Sequence, residues 1–207
     1  MNSECALCDA VSEGASEHAP KQIYNQVLFT TPRFVVLSSI GPLSVGHVMV
    51  VSKAHAPNLA SMGNDAIDEY EELVSHFRSR APYSQDLLEA ESGATIVRPE
   101  GACVVHTHVH WIPGFAASID VFDDLLPPVI GVASLRDIAP NHGPYVFLRN
   151  PSSVRVLEAR SLPSQAIRRA LFERIGRDDW DWGVAPRLDR IKETINLWRG
   201  YPNVLSA

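Results

Sequence analysis

The sequence contains little cysteine, with three residues in a chain of 207. A small, odd number of cysteines does not build a disulfide framework, which excludes the class of small disulfide-stapled secreted domains. Residues 1–4 carry neither a basic region nor an apolar run, so no signal peptide is expected there. We therefore expect a reducing, cytoplasmic location.

Long hydrophobic runs are also scarce. Residues 34–51 carry no formal charge, but Gly41-Pro42 and Gly46-His47 interrupt them. Two strands joined by a turn fit such an interrupted pattern better than a membrane span does. No membrane partner is therefore expected, and His47 is interpreted as a structural residue at the turn.

Positive charge is in the minority. Lys and Arg total 18 against 24 Asp and Glu, which gives a formal net charge of −6. An extended grip on nucleic acid needs clustered cations, so no extended nucleic-acid partner is expected. A small phosphorylated ligand in a local pocket remains compatible with this balance. The length suits one large domain, or one domain with an appendage.

The histidines of residues 104–113 are the most informative feature that is present. His106, His108 and His110 alternate with valine or threonine. In an extended strand these three side chains share one face, while Val109 and Trp111 point to the other face and a core. Imidazole serves as a base, a nucleophile or a metal ligand near neutral pH. The pattern predicts a metal site, a phosphate-handling site, or one of each.

The motif Cys5-Ala6-Leu7-Cys8 has three interpretations: half of a zinc site, a redox pair, or two unrelated cysteines. A redox pair usually follows a strand, and none precedes this one. A zinc site would need two further ligands from elsewhere in the chain. The motif alone does not choose between these interpretations.

The remaining pattern predicts strands and helices along the whole chain. Strands are predicted at residues 25–30, 33–38, 46–55 and 87–91, with a hairpin at 145–148 and 154–157. Helices are predicted from Asn64 or Asp65 to Pro82, over residues 118–126, from Pro163 to Gly176, and after Pro186. Residues 9–21 are polar and are predicted to form a loop.

Two segments together resemble the histidine triad (HIT) family of nucleotide hydrolases and transferases. One is His-x-His-x-His followed by apolar residues, and the other is the Gly-His strand of residues 46–55, which ends in Lys53-Ala54-His55. Ser52 stands where that family commonly has proline. The resemblance implies an α+β, HIT-like fold, a mainly antiparallel sheet with flanking helices, over residues 1–125. Residues 126–207 resemble the extensions of some bacterial members and are expected to form an α/β C-terminal extension packed on that domain.

The same resemblance selects a metal site. Zinc-bearing members of the family use the C-x-x-C pair, the histidine of the Lys-x-His step and the first histidine of the triad. These positions are Cys5, Cys8, His55 and His106. A Cys₂His₂ set suits tetrahedral Zn²⁺ and leaves no position for water, so a structural zinc is expected.

The resemblance also implies the chemistry. His108, the middle histidine, would attack the α-phosphorus of a small nucleotide, and His110 would stabilise charge on the phosphoryl oxygens. The expected protein is a nucleotide hydrolase that acts on an anhydride, ester or phosphoramidate and releases a nucleoside monophosphate. Two alternatives stay open: a nucleotidyl transferase or phosphorylase that uses the same histidine, and a non-catalytic nucleotide-binding or zinc-stabilised scaffold. A homodimer is compatible with the family.

Three further positions depart from the family pattern. Ser39 stands where many HIT hydrolases carry an acidic residue that holds the ribose hydroxyls. Ala102 and Cys103 stand where many carry Gln and Ser or Thr near the leaving group. The identity of the base and of the leaving group is therefore left open.

Overall fold

The computed structural model describes residues 5–14, 26–80, 84–94, 105–139, 142–159, 162–163 and 165–199. The helices in these ranges are α1 (Ala6–Gly14), α2 (Asn64–Arg80), α3 (Ala166–Arg174) and α4 (Leu188–Arg199). The strands are β1 (Val27–Thr30), β2 (Phe34–Ser38), β3 (Val48–Ser52), β4 (Leu87–Gly93), β5 (His108–Pro113), β6 (Tyr145–Arg149) and β7 (Val154–Glu158). Among these helices, none is both long and apolar enough to cross a bilayer.

These strands form one antiparallel sheet in the order β1-β2-β3-β5-β4-β6-β7. β2 and β3 are buried along their whole length and rich in valine, a branched residue that packs well on a pleated surface. With helices beside this sheet, the predicted α+β fold is confirmed. The histidine strand β5 lies at the centre of the sheet, between β3 and β4.

The two faces of β5 pack into different clusters. Val109 and Trp111 belong to a core that includes Tyr70 and Phe77 of α2. The alternate residue Ile112 belongs to the cluster on the opposite face. Because side chains alternate along a strand, His108 and His110 share the face opposite α2.

That face is covered at its two ends by helices from opposite ends of the chain. Leu7 of α1 is buried with Val35 and Val51 of strands β2 and β3. Leu171 of α3 is buried in another cluster, which also contains Leu148 of β6. The histidines lie on the sheet face between these two helices.

The predicted C-terminal extension contributes strands to the same sheet. β6 pairs with β4 through five residue pairs, from Glu89–Arg149 to Gly93–Tyr145, and β7 pairs with β6. The predicted hairpin is therefore confirmed, and it lengthens the sheet beyond β4.

The prediction of a loop over residues 9–21 is wrong where it can be compared, because α1 covers Ala6–Gly14. A helix of this length is marginal on its own, and tertiary burial supplies the missing stability. Leu7 and Ala10 provide that burial against the sheet. Residues 15–21 lie outside the described ranges.

The predicted helix over residues 118–126 is also wrong. The chain there forms a 3-10 turn at Ala116–Ser118, followed by successive hydrogen-bonded turns. Phe122 is buried, and Asp120 pairs with Arg174 at 3.0 Å. Aspartate competes for local hydrogen bonds and weakens helices, so these tertiary contacts determine the conformation.

A buried carboxylate ties β4 to its neighbours. Glu89 is fully buried and accepts hydrogen bonds from Arg78 and Tyr70 of α2, each at 2.6 Å. It also accepts from Arg149 of β6 at 2.6 Å. A buried charge is tolerated when it is paired and hydrogen-bonded in this way.

Glu91, two residues further along β4, is buried without a cationic partner in these contacts. It accepts hydrogen bonds from the Tyr145 hydroxyl at 2.6 Å and from the Leu59 N–H at 2.8 Å. Burial raises the pKa of Glu91 to about 7, although both hydrogen bonds lower it. Because this pKa is higher in the folded than in the unfolded protein, the stability contributed by the group falls as the pH rises from about 4.5 to 7.

We predict that Glu91→Gln removes this pH dependence, because glutamine keeps the shape without a charge. By urea unfolding, the variant should gain up to about 3 kcal/mol over the wild type at pH 8 relative to pH 4.5. Glu72→Gln, on the exposed side of α2, is the matched control and should show no such pH-dependent gain. A difference between Glu91→Gln and the wild type that is equal at both pH values would refute the assignment.

Candidate functional site

The strand register places the last two histidines of the triad side by side at the centre of the sheet. His108 lies opposite Val51 and His110 opposite Met49 of β3. The strand begins only at His108, so His106 lies just before it rather than within it. The predicted alternation therefore applies to two histidines, while the third is free to face a different set of ligands.

His108 is held in one tautomer by a backbone carbonyl. Its Nδ1 lies 2.7 Å from the carbonyl oxygen of His106. A carbonyl oxygen only accepts hydrogen bonds, so Nδ1 carries the proton and Nε2 keeps its lone pair. Burial lowers the pKa of His108, with the carbonyl contact acting in the opposite direction. The neutral imidazole thus presents an unprotonated nitrogen, the form that a nucleophile requires.

His110 is oriented by His47, a residue interpreted from sequence as structural. The backbone N–H of Leu43 donates to His47 Nδ1 at 3.0 Å, so the proton of neutral His47 is on Nε2. His47 Nε2 lies 2.9 Å from His110 Nδ1 and donates to it. The proton of His110 is consequently on Nε2. The backbone N–H of Leu43 therefore fixes the tautomer of His47, and through it that of His110.

Burial and nearby cations keep both rings neutral. The pKa of His47 lies well below its usual value, first because the ring is buried and then because Arg168 and Arg190 are near. The pKa of His110 is lowered in the same way, by burial, His47, His108 and Arg168. Near pH 7, His110 therefore offers a neutral N–H donor rather than an imidazolium.

The four predicted metal ligands come together at the start of β5. Their ligand atoms all lie within 4.8 Å of one another. Cys5 Sγ is 3.3 Å from His106 Nδ1, and Cys8 Sγ is 3.4 Å from His106 Nδ1 and 3.2 Å from His55 Nδ1. A tetrahedral ion with usual Zn–S and Zn–N bond lengths would separate sulfur from nitrogen by about 3.5 Å. This cluster could hold a metal ion.

The protonation of the cluster also suits a metal ion. His106 Nε2 lies 2.8 Å from the carbonyl oxygen of Ser52, so it carries the proton and Nδ1 faces the sulfurs with its lone pair. Burial, together with the neighbouring Cys5, raises the pKa of Cys8 to about 11 in the protein alone. A bound dication reverses this preference, because it binds and stabilises the thiolate.

Sequence reasoning missed His47 as a partner of the triad. Its signal was the Gly-His step two residues before Met49, because Met49 pairs with His110 across the strands. Of the positions 39, 102 and 103, which depart from the family pattern, the structure describes the first. Ser39 is buried and donates to the Ile40 carbonyl at 3.3 Å. Ala102 and Cys103 lie outside the described residues.

Comparisons with known proteins find similarity over the segment that contains these histidines. Residues 20–117 match the family model of the HIT domain. An uncharacterised HIT-like protein of Saccharolobus solfataricus is 24% identical over 126 residues, which cover 59% of this chain and 83% of that protein.

Two solved structures show a distant likeness. A HIT family hydrolase from Clostridium thermocellum has a TM-score of 0.41 and 14% identity, over 55% of this chain and 93% of its own. A hypothetical histidine triad nucleotide-binding protein from Sulfolobus tokodaii has a TM-score of 0.39 and 22% identity, over 53% of this chain and 68% of its own. Through residues 20–117, the chain is therefore similar to the HIT family of proteins.

Proposed function

We propose that this protein hydrolyses a small nucleotide at its α-phosphorus through a nucleotidyl-histidine at His108. The observation that carries the proposal is the 2.7 Å contact between His108 Nδ1 and the His106 carbonyl, which leaves Nε2 as the free nucleophile. The substrate class is a nucleotide anhydride, ester or phosphoramidate, and the product is a nucleoside monophosphate. The reaction takes place in the cytoplasm, where the two thiols of the metal cluster stay reduced.

The reaction has two displacement steps. Nε2 of His108 forms a bond to the α-phosphorus while the bond from phosphorus to the leaving group breaks, and the leaving group keeps the electron pair. Water then attacks phosphorus, the N–P bond breaks, and its electron pair returns to Nε2. The His106 carbonyl stabilises the positive charge on the ring in between, because Nδ1–H donates to it throughout. The two protons of water end on the two products.

His110 acts on the phosphoryl oxygens. Its Nε2–H is a neutral donor, fixed by the hydrogen bond from His47 to Nδ1. Charge develops on the non-bridging oxygens as the nucleophile attacks, and a donor held in place beforehand stabilises it.

The metal in this proposal is a structural Zn²⁺ held by Cys5, Cys8, His55 and His106. Four protein ligands would leave no position for water, so the ion would supply a cross-link rather than a Lewis acid. That cross-link would hold α1 against the start of β5. The carbonyl of His106 is then fixed where His108 needs its acceptor.

Product analysis with a dinucleoside polyphosphate tests the function. A hydrolase releases a nucleoside monophosphate whether or not inorganic phosphate is present. A phosphorylase releases a nucleoside diphosphate only when phosphate is added. The absence of any product in both mixtures would favour the non-catalytic alternative.

We predict that His47→Ala and His110→Ala lower kcat/KM by similar factors, each about 10- to 100-fold. The reason is that His47 acts through His110. Without His47, the Nε2–H donor of His110 is no longer held in place. The double variant should be no worse than the poorer single variant, as expected of groups that act as one unit. Steady-state kinetics on the three variants measures this, with His142→Ala, a histidine outside the triad and the metal cluster, as the control. Losses that multiply in the double variant would show that the two residues act independently.

A further inference from the structure

The segment of residues 40–46, here called the 40–46 loop, joins β2 to β3 and leads directly to His47. Its first half is held by two arginines of the C-terminal extension. Arg190 of α4 donates through Nη1 to the carbonyls of Pro42 at 3.0 Å and Leu43 at 2.8 Å. Arg168 of α3 donates to the carbonyls of residues 40 and 41. Four consecutive carbonyls of the loop are thus bound by residues more than 120 positions later in the chain.

The extension also holds both glycines of the loop. The N–H of Gly41 donates to the Pro186 carbonyl at 2.9 Å. The N–H of Gly46 donates to the buried Thr194 hydroxyl at 2.9 Å, and its carbonyl accepts from Trp198 Nε1 at 3.2 Å. Together with the arginines, these contacts fix the loop at both ends.

The fit of the extension at Gly41 is close. Gly41 has φ of 55°, a left-handed conformation that glycine adopts without strain. A Cβ at this position would lie 2.7 Å from Cβ of Trp182 and 3.0 Å from Nη2 of Arg168. The extension and the loop are packed against each other without space for a side chain.

The loop connects these contacts to the histidines. Arg190 binds the carbonyl of Leu43, and the N–H of the same residue donates to His47 Nδ1. His47 in turn donates to His110. A chain of hydrogen bonds, continued through the backbone of Leu43, therefore runs from α4 to His110, the proposed hydrogen-bond donor to the phosphate.

The two guanidinium groups also act by charge, Arg168 on both rings and Arg190 on His47. The charged and titratable groups that face His47 are Arg168, Arg190 and His110. Those that face His110 are His47, His108 and Arg168. A fixed positive charge nearby disfavours protonation of an imidazole, so both arginines favour the neutral form that this chain of hydrogen bonds requires.

We propose that Arg190 and Arg168 of the C-terminal extension are positioning residues of the active site, which hold the 40–46 loop so that His47 donates to His110. The C-terminal extension then contributes to the geometry of the active site. The effect on catalysis rests on the function proposed above, whereas the effect on the two histidine rings does not.

The test uses the full chain carrying its metal, with ¹⁵N-labelled histidine, and the substitution Arg190→Gln. In the wild type, the imidazole nitrogens of His47 and His110 should give the spectrum of a neutral ring with the proton on Nε2 from pH 8 to below pH 6. In Arg190→Gln, His47 should bind a proton at higher pH and lose its single tautomer, and His110 should then lose the donor that fixes its own tautomer. Lys192→Gln on the exposed side of α4 is the matched control and should leave both spectra unchanged.

Kinetics supplies the second measurement. Arg190→Gln should lower kcat about tenfold with little change in KM, and the loss of activity on acidification should begin at higher pH. Arg190→Lys restores the charge but places its donors on a single ammonium nitrogen of different reach, so it should recover the pH profile more fully than it recovers kcat. A merely stabilising arginine would change the unfolding temperature without moving the pH profile.

Unchanged histidine spectra in folded Arg190→Gln would overturn the proposal, whatever the enzyme activity. If that variant does not fold, Thr194→Val removes only the hydroxyl that binds Gly46, which loosens the same loop, and His47 should again lose its single tautomer. An unaltered His47 spectrum in Thr194→Val would then count against the proposal. A protein that hydrolyses no nucleotide, yet shows the expected spectra, would contradict the proposed function alone.

Discussion

Replacement of His108 by alanine is expected to lower turnover at least about a thousandfold, because it removes the atom that bonds to phosphorus. His110→Ala is expected to retain measurable activity, since it removes a hydrogen-bond donor and not the nucleophile. The two residues lie two positions apart on the same face of β5, so each variant is a control for the effect of the other on folding. Initial rates with a dinucleoside polyphosphate give both values.

Two further observations separate loss of the nucleophile from loss of the fold. Circular dichroism and metal content of His108→Ala should equal those of the wild type, because its side chain contacts a backbone carbonyl and is not one of the four metal ligands. Rapid quenching of the wild type with substrate labelled at the α-phosphate should trap acid-labile label on His108. Full activity in His108→Ala would end the proposed mechanism.

The second large effect concerns the metal cluster. Purified protein is expected to contain about one zinc per chain, and Cys5→Ser/Cys8→Ser should release it. Since the binding energy of a structural metal is folding energy, the double variant should lose several kcal/mol of stability, which lowers Tm by about 10 °C. Atomic absorption and thermal unfolding measure the two quantities.

The third cysteine of the chain supplies the control. Cys103→Ser should keep the zinc content of the wild type, because that residue is not one of the four ligands. Activity should fall with zinc loss, since the cluster includes His106, whose carbonyl orients His108. Zinc-free wild-type protein with unaltered stability and activity would exclude a structural metal.

The central strand was predictable because its information is local. Alternating histidines with Val109 and Trp111 between them have one arrangement that buries the apolar residues and gathers the polar ones. The hairpin of β6 and β7 is predictable for the same reason, since its turn residues lie between its strands. The family resemblance added which cysteines and histidines would meet, and the structure brings these four residues together.

The features that were not predictable depend on distant partners. α1 is helical because Leu7 and Ala10 find buried positions on the sheet, and no pattern within nine residues specifies that. The contact from His47 to His110 follows from the register of β3 against β5, which joins residues 63 positions apart. The hydrogen bonds from Arg190 to the 40–46 loop join residues still further apart in sequence, and local periodicity does not encode such contacts.

The pairing of β6 with β4 has a consequence for how the chain is divided. Residues 1–125 and 126–207 were predicted as a catalytic domain and an extension, yet β4 has β5 on one side and β6 on the other. A chain shortened at residue 125 would leave the hydrogen-bonding edge of β4 open, a template for aggregation. It would also strip the buried Glu91 of the Tyr145 hydroxyl and the buried Glu89 of Arg149. We therefore expect the two segments to fold and unfold cooperatively as one unit, so that neither segment is transferable without the other.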